Sequence, residues 1–279
     1  MEAFLRRIEV WKDTERRAPP AAAPSCKESY VDGYGDGHAP TPPTDAHVLQ
    51  QHPRVALHDA DTIDLGLALL ASGVVSRPLL LILADDCFPG GCVATGSGAQ
   101  EEALFRRTNL CRSLSMRDYP IRDDEAVYAP RIEVFRRGER HATDPFGLLP
   151  PEERRVLDFV ACPALRHPML TPEGRLADAD AARLAVKVEL VLQLAHRHGH
   201  DGVVLGAMGC GAWKCPPDHV AEVMADVLSR FCARVPGAFR RVDFAILRGA
   251  EAGYITLLGD GRRDNFDAFL ALEHPRRST

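Results

Sequence analysis

Hydrophobic positions along the chain fall into two regimes. From about Arg17 to His52 core-forming runs are few: "RRAPPAAAPSC" and "HAPTPPTDAH" are proline-rich, and "DGYGDG" signals a loop. From His58 the pattern changes. "DTIDLGLALLASG" predicts a helix that opens at Asp61 or Thr62 and closes at Gly73. "LLLILAD", Leu79 to Asp85, is apolar on both faces, as a buried strand requires. "VLDFVAC", Val156 to Cys162, predicts a second strand. A helix then runs from about Ala179 to His198 and stops at Gly199, a good C-cap. "GVVLGA", Gly202 to Ala207, is another buried strand. The next helix starts near Pro217-Asp218, with Val220, Val223, Met224, Val227, Leu228 and Phe231 at helical spacing. "VDFAIL", Val242 to Leu247, closes the series as a strand.

Strand, helix, strand, helix, strand implies right-handed crossovers. The expected fold class is α/β, with a largely parallel central sheet and helices on both faces. No internal repeat is visible. Residues 1–52 are expected to form a helical and proline-rich extension laid over a domain that spans 53–279.

Composition narrows the classes of partner. The chain has 279 residues, 46% of them hydrophobic, which suits a globular core. A net charge of -5 argues against a nonspecific hold on nucleic acid by bulk charge. No apolar run approaches the roughly 20 residues of a membrane span. The amphipathic start "MEAFLRRIEVWKDTERR" lacks the apolar core of a secretion signal, so an intracellular protein, cytoplasmic or nuclear, is expected. The eight cysteines, Cys26, Cys87, Cys92, Cys111, Cys162, Cys210, Cys215 and Cys232, then read as reduced thiols. "CFPGGC" and "CGAWKC" each place four residues between cysteines, whereas zinc sites more often use two. No metal and no cofactor are expected.

The candidate chemistry sits in two glycine loops. The strand ending at Asp85 runs into "DDCFPGGCVATGSG", and the strand ending at Ala207 runs into "MGCGAWKCPP". Each loop precedes a helix. Ligands of open α/β sheets bind outside the carboxyl ends of the strands, and backbone N–H groups before a helix N-terminus suit a phosphate. Neither loop matches GxxxxGK[ST] or GxGxxG. Ser97 and Gln100 fit a capping box, which places Glu101 and Glu102 early in the helix. Acids there stabilise a helix through its dipole. Adjacent helical residues point about 100° apart, so only one of the two can face a ligand directly. A carboxylic acid beside a diphosphate tends to hold its proton, which suits a general acid.

"PGGCVATGSGAQEE" resembles the signature of poly(ADP-ribose) glycohydrolases, a glycine triplet followed by Gln-Glu-Glu. "GAMGCGAWKCPPDHVA" resembles the same family's second loop. The similarity runs from roughly His58 to Phe269 and is closest to the microbial type. It implies a macrodomain-like three-layer α/β/α sandwich with a mixed, largely parallel sheet. It also implies hydrolysis of ribose–ribose O-glycosidic bonds. By resemblance, Glu102 protonates the leaving ribose hydroxyl and then activates water, Glu101 orients the riboses and Gln100 supports the loop. Gly90 and Gly91 approach the diphosphate and distal ribose. Gly209, Cys210, Gly211 and Ala212 wrap the other side, Trp213 covers the catalytic ribose where the family has Phe, and Asp86 fixes ribose or loop. Cys92 replaces the third glycine of the triplet. No counterpart of the accessory helical domain of animal members is visible, which favours exo-acting trimming that releases ADP-ribose.

The expected partners are ADP-ribose and poly(ADP-ribose) on modified proteins, without a membrane, for a monomeric chain. Two alternatives stay open: a non-catalytic ADP-ribose reader, and a hydrolase removing ADP-ribose from another acceptor such as a nucleic-acid base. His196, His198 and His200 cluster at a helix end, where imidazolium favours the dipole. "FRRGER", Phe135 to Arg140, reads as a solvated turn. Tyr254 and Phe266 read as core or edge packing, with the adenine pocket as the other option.

Overall fold

The computed structural model describes residues 1–35, 53–248 and 264–272. The chain opens with helix α1 (Glu2–Arg17) and a short strand β1 (Cys26–Ser29). There follow β2 (Arg54–His58), α2 (Thr62–Ala71), β3 (Pro78–Leu83), α3 (Gln100–Arg107), α4 (Leu110–Ser113), β4 (Glu125–Val134) and β5 (Arg155–Cys162). Then come α5 (Asp178–Arg197), β6 (Gly202–Leu205), α6 (Pro217–Arg234), β7 (Arg241–Ala245) and α7 (Asn265–Phe269). No helix among the described residues is long and apolar enough to cross a membrane.

The strands form one mixed sheet in the order β1-β4-β5-β3-β6-β7-β2. The pairs β5–β3, β3–β6, β6–β7 and β7–β2 are parallel, while β4 runs antiparallel to both β5 and β1. Side chains alternate between the faces of a strand, so β3 feeds two cores. Leu79 and Leu81 join Val203, Phe244, Val227 and Phe231 under α5 and α6. Leu80 and Ile82 join Phe159, Ile63, Leu104 and Trp11 under α2, α3 and α1. The result is the three-layer α/β/α sandwich with a largely parallel sheet that the sequence leads one to expect.

The expected domain boundary at residue 52 lies outside the described residues. Residues 1–35, read as an extension, pack on the sandwich itself. Trp11 of α1 is buried with its ring centroid 6.3 Å from that of Phe105, and β1 forms the sheet edge against β4. The reading of "FRRGER" as a solvated turn is corrected by the same contact. Phe135 and Arg136 are buried, and Arg136 bonds Asp13 of α1 and the carbonyl of Phe146. Two of the three clustered histidines also tie this segment down, and the third bonds within the sandwich. His196 meets the Tyr34 hydroxyl at 2.9 Å, His198 pairs with Glu28, and buried His200 bonds the Tyr128 hydroxyl and the carbonyl of Arg77.

Candidate active site

Strands β3 and β6 are parallel neighbours, so the chain leaves both at the same end of the sheet. The two glycine loops therefore face each other across a cleft of about 590 Å³. Its walls include Gly91 and Cys92 from the first loop, Gly209, Gly211, Ala212 and Trp213 from the second, and Gln100, Glu101 and Glu102 from the start of α3. Three expected site residues, Asp86, Gly90 and Cys210, do not line it.

The expected capping box does not form. The N-cap of α3 is Ala99, without a side-chain cap, and Ser97 Oγ only accepts from the Ala99 amide at 3.4 Å. Gln100 is engaged elsewhere. Its Oε1 accepts from the Leu83 amide at 2.9 Å, and its Nε2 donates to the Leu81 carbonyl at 2.7 Å and to Thr62 Oγ1 at 3.1 Å. The side-chain amide thus does what a peptide unit of a further strand would do, where the pairing of β3 with β6 has ended. This fixes the start of α3 against the end of β3.

The two carboxylates of α3 are buried, 3% and 6% exposed for Glu101 and Glu102. Glu101 accepts from the Asp85 amide at 2.6 Å and the Gly90 amide at 2.9 Å, one bond per oxygen. Glu102 Oε1 accepts from the Cys92 amide at 3.1 Å, while Oε2 is buried without a partner. Burial pushes the Glu101 carboxyl well above the usual range; the charges of Glu102 and Asp85 add to this, and the two amide bonds oppose it.

The first loop therefore holds carboxylates where the sequence led one to expect a phosphate. Gly90 and Cys92 spend their N–H groups on Glu101 and Glu102. The glycines make the fold-back possible. Gly90 has φ +80°, and a Cβ there would lie 2.7 Å from the Phe105 ring; Gly91 has φ +50°, and a Cβ would lie 3.0 Å from Glu102 Oε1. Cys92 stands in contrast at φ -97°, with an exposed side chain, so its backbone carries a side chain without strain.

The second loop is more open. Its turns use the amides of Cys210, Lys214 and Cys215. Gly209 has φ +74°, and a Cβ would lie 2.5 Å from Cys215 Sγ, whereas a Cβ at Gly211 would meet nothing within 4 Å. The Trp213 carbonyl accepts from the His167 amide, and the Arg166 guanidinium lies 4.7 Å from the centre of the Trp213 ring. Arg166 also binds Asp85 at 2.9 Å and pairs with Asp86. Against the upward push of burial, Arg166 holds the Asp86 carboxyl below its usual range. Asp85 in turn accepts from the amides of Cys87 and Phe88. One arginine thus links both glycine loops.

Two groups of side chains bring metal-ligand atoms together among the described residues. In Asp85, Asp86 and Cys87, the guanidinium of Arg166 already occupies the carboxylates. In Cys26, Glu28 and His198, at the β1 edge, Glu28 is bonded to His198 and Arg197. All eight cysteines are free thiols, and Cys210 and Cys215 direct their sulfurs to backbone carbonyls. Of the aromatic candidates for an adenine pocket, Phe266 is buried in the core and Tyr254 lies outside the described residues.

Residues 34–137 match the model of the microbial-type PARG catalytic domain, a span that holds the whole first loop and both glutamates. The chain resembles the microbial-type poly(ADP-ribose) glycohydrolases. Solved structures of this kind share its fold. The glycohydrolase of Thermomonospora curvata is 22% identical, covering 96% of this chain and 99% of that chain at a TM-score of 0.70. The same enzyme bound to the inhibitor ADP-HPD gives 24% identity, coverage of 95% and 98%, and a TM-score of 0.69. The glycohydrolase of Deinococcus radiodurans in complex with ADP-ribose gives 20% identity, coverage of 97% and 91%, and a TM-score of 0.62. No curated protein matches the sequence. The fold is macrodomain-like, as the glycohydrolase resemblance implies.

Sequence reasoning did not find Arg166, Asp85 or Thr62 as site residues. Arg166 lies 80 positions from its partner Asp86, and only the fold brings them together. Asp85 had a visible signal, since it stands at the end of a buried strand and opens the glycine loop.

Proposed function

We infer that the protein is a poly(ADP-ribose) glycohydrolase that trims polymer from modified proteins and releases ADP-ribose. The observation that carries this reading is Glu102. It lines the cleft, one oxygen is held by the Cys92 amide, and the other is buried without a partner. Protonated Glu102 donates its proton to the leaving ribose oxygen as the C1–O glycosidic bond breaks. The resulting carboxylate then takes a proton from the water that attacks the oxocarbenium-like carbon. Glu101, with both oxygens bonded to backbone, acts as a positioning residue that fixes the loop around Glu102. Amides of the second loop receive the diphosphate, and Trp213 walls the ribose.

An acid in this place has no use in a simple reader of ADP-ribose, which favours the enzyme. The described residues include no helical domain beside the sandwich, which favours exo-acting trimming. The test is incubation with defined poly(ADP-ribose), mono(ADP-ribosyl) protein and ADP-ribosylated DNA, followed by product analysis. Free ADP-ribose from polymer ends is the expected product. Release from DNA alone would assign another acceptor, and binding without release from any substrate would assign a reader.

A further inference from the structure

Arg106 is completely buried, and none of its three guanidinium nitrogens has a hydrogen-bond partner. Buried arginines are ordinarily paired, since an isolated buried charge loses its hydration without a partner to replace it. Burial pulls the Arg106 guanidinium down to about 10, so it remains charged at neutral pH. Its position explains what the charge faces. Glu102 and Arg106 stand four residues apart on α3 and so share a helix face. The backbone carbonyl of Arg106 accepts from Thr14 of α1, which packs α1 against this helix.

The acids and bases around the pair come from each element packed against it. Arg106 faces the charges of Glu139 in the loop after β4, of Arg7 in α1 and of Glu102, while the neighbouring Glu101 faces Asp85 of the first glycine loop and the buried Tyr119 hydroxyl. Most are already engaged. Glu139 receives Arg7 through both oxygens at 3.0 Å. Glu101 is bonded to backbone amides, and Asp85 to Arg166. Glu102 alone retains a buried carboxylate oxygen without a partner.

We propose that Arg106 is a positioning residue that electrostatically supports Glu102 from behind, stabilising the carboxylate left when Glu102 gives its proton to the leaving ribose oxygen. The catalytic step itself is unchanged: the proton goes from Glu102 to the ribose oxygen as the C1–O bond breaks, and Arg106 transfers nothing. The guanidinium places a positive charge on the same helix face as the buried Glu102 side chain, beside the second carboxylate of Glu101. Its charge serves the reaction at the expense of stability, because an apolar side chain of similar volume packs more favourably in such a place.

This rests on the glycohydrolase reading for its kinetic arm and not for its stability arm. Arg106→Met and Arg106→Lys are compared with wild type in ADP-ribose calorimetry, thermal unfolding and kcat against pH on poly(ADP-ribose). Arg106→Met is expected to keep its Kd within about threefold and its Tm at or above wild type, while kcat falls about 10- to 100-fold. The pH dependence of kcat should change with it, because a buried charge four residues from Glu102 has been removed. Arg106→Lys should recover most of kcat. Wild-type kcat and pH profile in a folded Arg106→Met would overturn the proposal, as would equal losses of kcat and Tm in both variants. The stability arm is a double-mutant cycle of Arg106→Met with Glu102→Gln. Glu102→Gln should lower Tm in wild type and much less in the Arg106→Met background; strict additivity would refute the pairing. If wild type hydrolyses no substrate, the glycohydrolase reading fails while this cycle still decides whether the two charges are coupled.

Discussion

The Cys92 amide donates to Glu102 Oε1 at 3.1 Å, so the first glycine loop grips the carboxylate that lines the cleft. Gly90 does the same for Glu101. Between them, Gly91 has φ +50°, and a Cβ there would lie 3.0 Å from Glu102 Oε1 and 3.2 Å from Glu101 Oε2. Gly91→Ala should therefore displace both carboxylates. We expect a stability loss of about 1–2 kcal/mol from the left-handed backbone and a far larger relative loss of kcat. Urea unfolding and initial rates on the same preparation check both.

Gly211 gives the complementary case. Its missing side chain would touch no protein atom within 4 Å, yet it lines the cleft. Gly211→Val should leave Tm unchanged and weaken ADP-ribose binding at least about tenfold, by adding bulk where backbone meets ligand. Calorimetry beside thermal unfolding separates this from a folding defect.

Trp213 is half-buried at the cleft wall, with Arg166 over its ring. Trp213→Ala should cut turnover strongly by losing the ribose wall, and Trp213→Phe should cut it mildly. ADP-ribose should also change the tryptophan fluorescence. Trp11 of α1 is buried against the sandwich, so a Trp11→Phe background isolates the signal. Unchanged fluorescence together with a fully active alanine variant would remove Trp213 from the site.

His200 predicts the acid behaviour of the fold. Burial holds its imidazole down at about 4, between the Tyr128 hydroxyl and the Arg77 carbonyl. In the unfolded chain the same group takes its proton near pH 6.5. Between those values the unfolded state binds the extra proton, so stability falls as pH drops from about 6.5 to 4. His200→Gln should flatten Tm against pH over this window. A variant whose Tm declines as steeply as wild type would place the acid sensitivity elsewhere.

The helices α2, α5 and α6 were legible from their apolar residues at helical spacing, and the strands β3, β5, β6 and β7 from compact apolar runs that suit buried strands. The antiparallel side of the sheet was not. In β4 the register shifts between Ala129 and Ile132, Arg131 sits at φ 56°, and Pro130 breaks the run. In β1 the four residues Cys-Lys-Glu-Ser carry no apolar alternation, as suits an exposed edge. α1 looked like a charged amphipathic segment because only Trp11 and Thr14 among its residues are buried. At the site, Glu101, Glu102 and both loops were visible as local motifs. The partners of the loop amides were not, since a sequence does not say whether an N–H meets a ligand or a carboxylate. Gln100 shows the same limit: its spacing from Ser97 fits a capping box, but the open end of β3 competes for its amide and wins.

The most direct measurement of the central claim uses Glu102→Gln, which keeps the size of the side chain and removes the acid. Binding of ADP-ribose and release of ADP-ribose from poly(ADP-ribose) are measured on wild type and variant side by side. The expected result is an unchanged Kd with a rate about 10²–10⁴-fold lower, the typical contribution of a positioned general acid. A Glu102→Gln protein that hydrolyses the polymer at the wild-type rate would contradict the assignment of Glu102 as that acid.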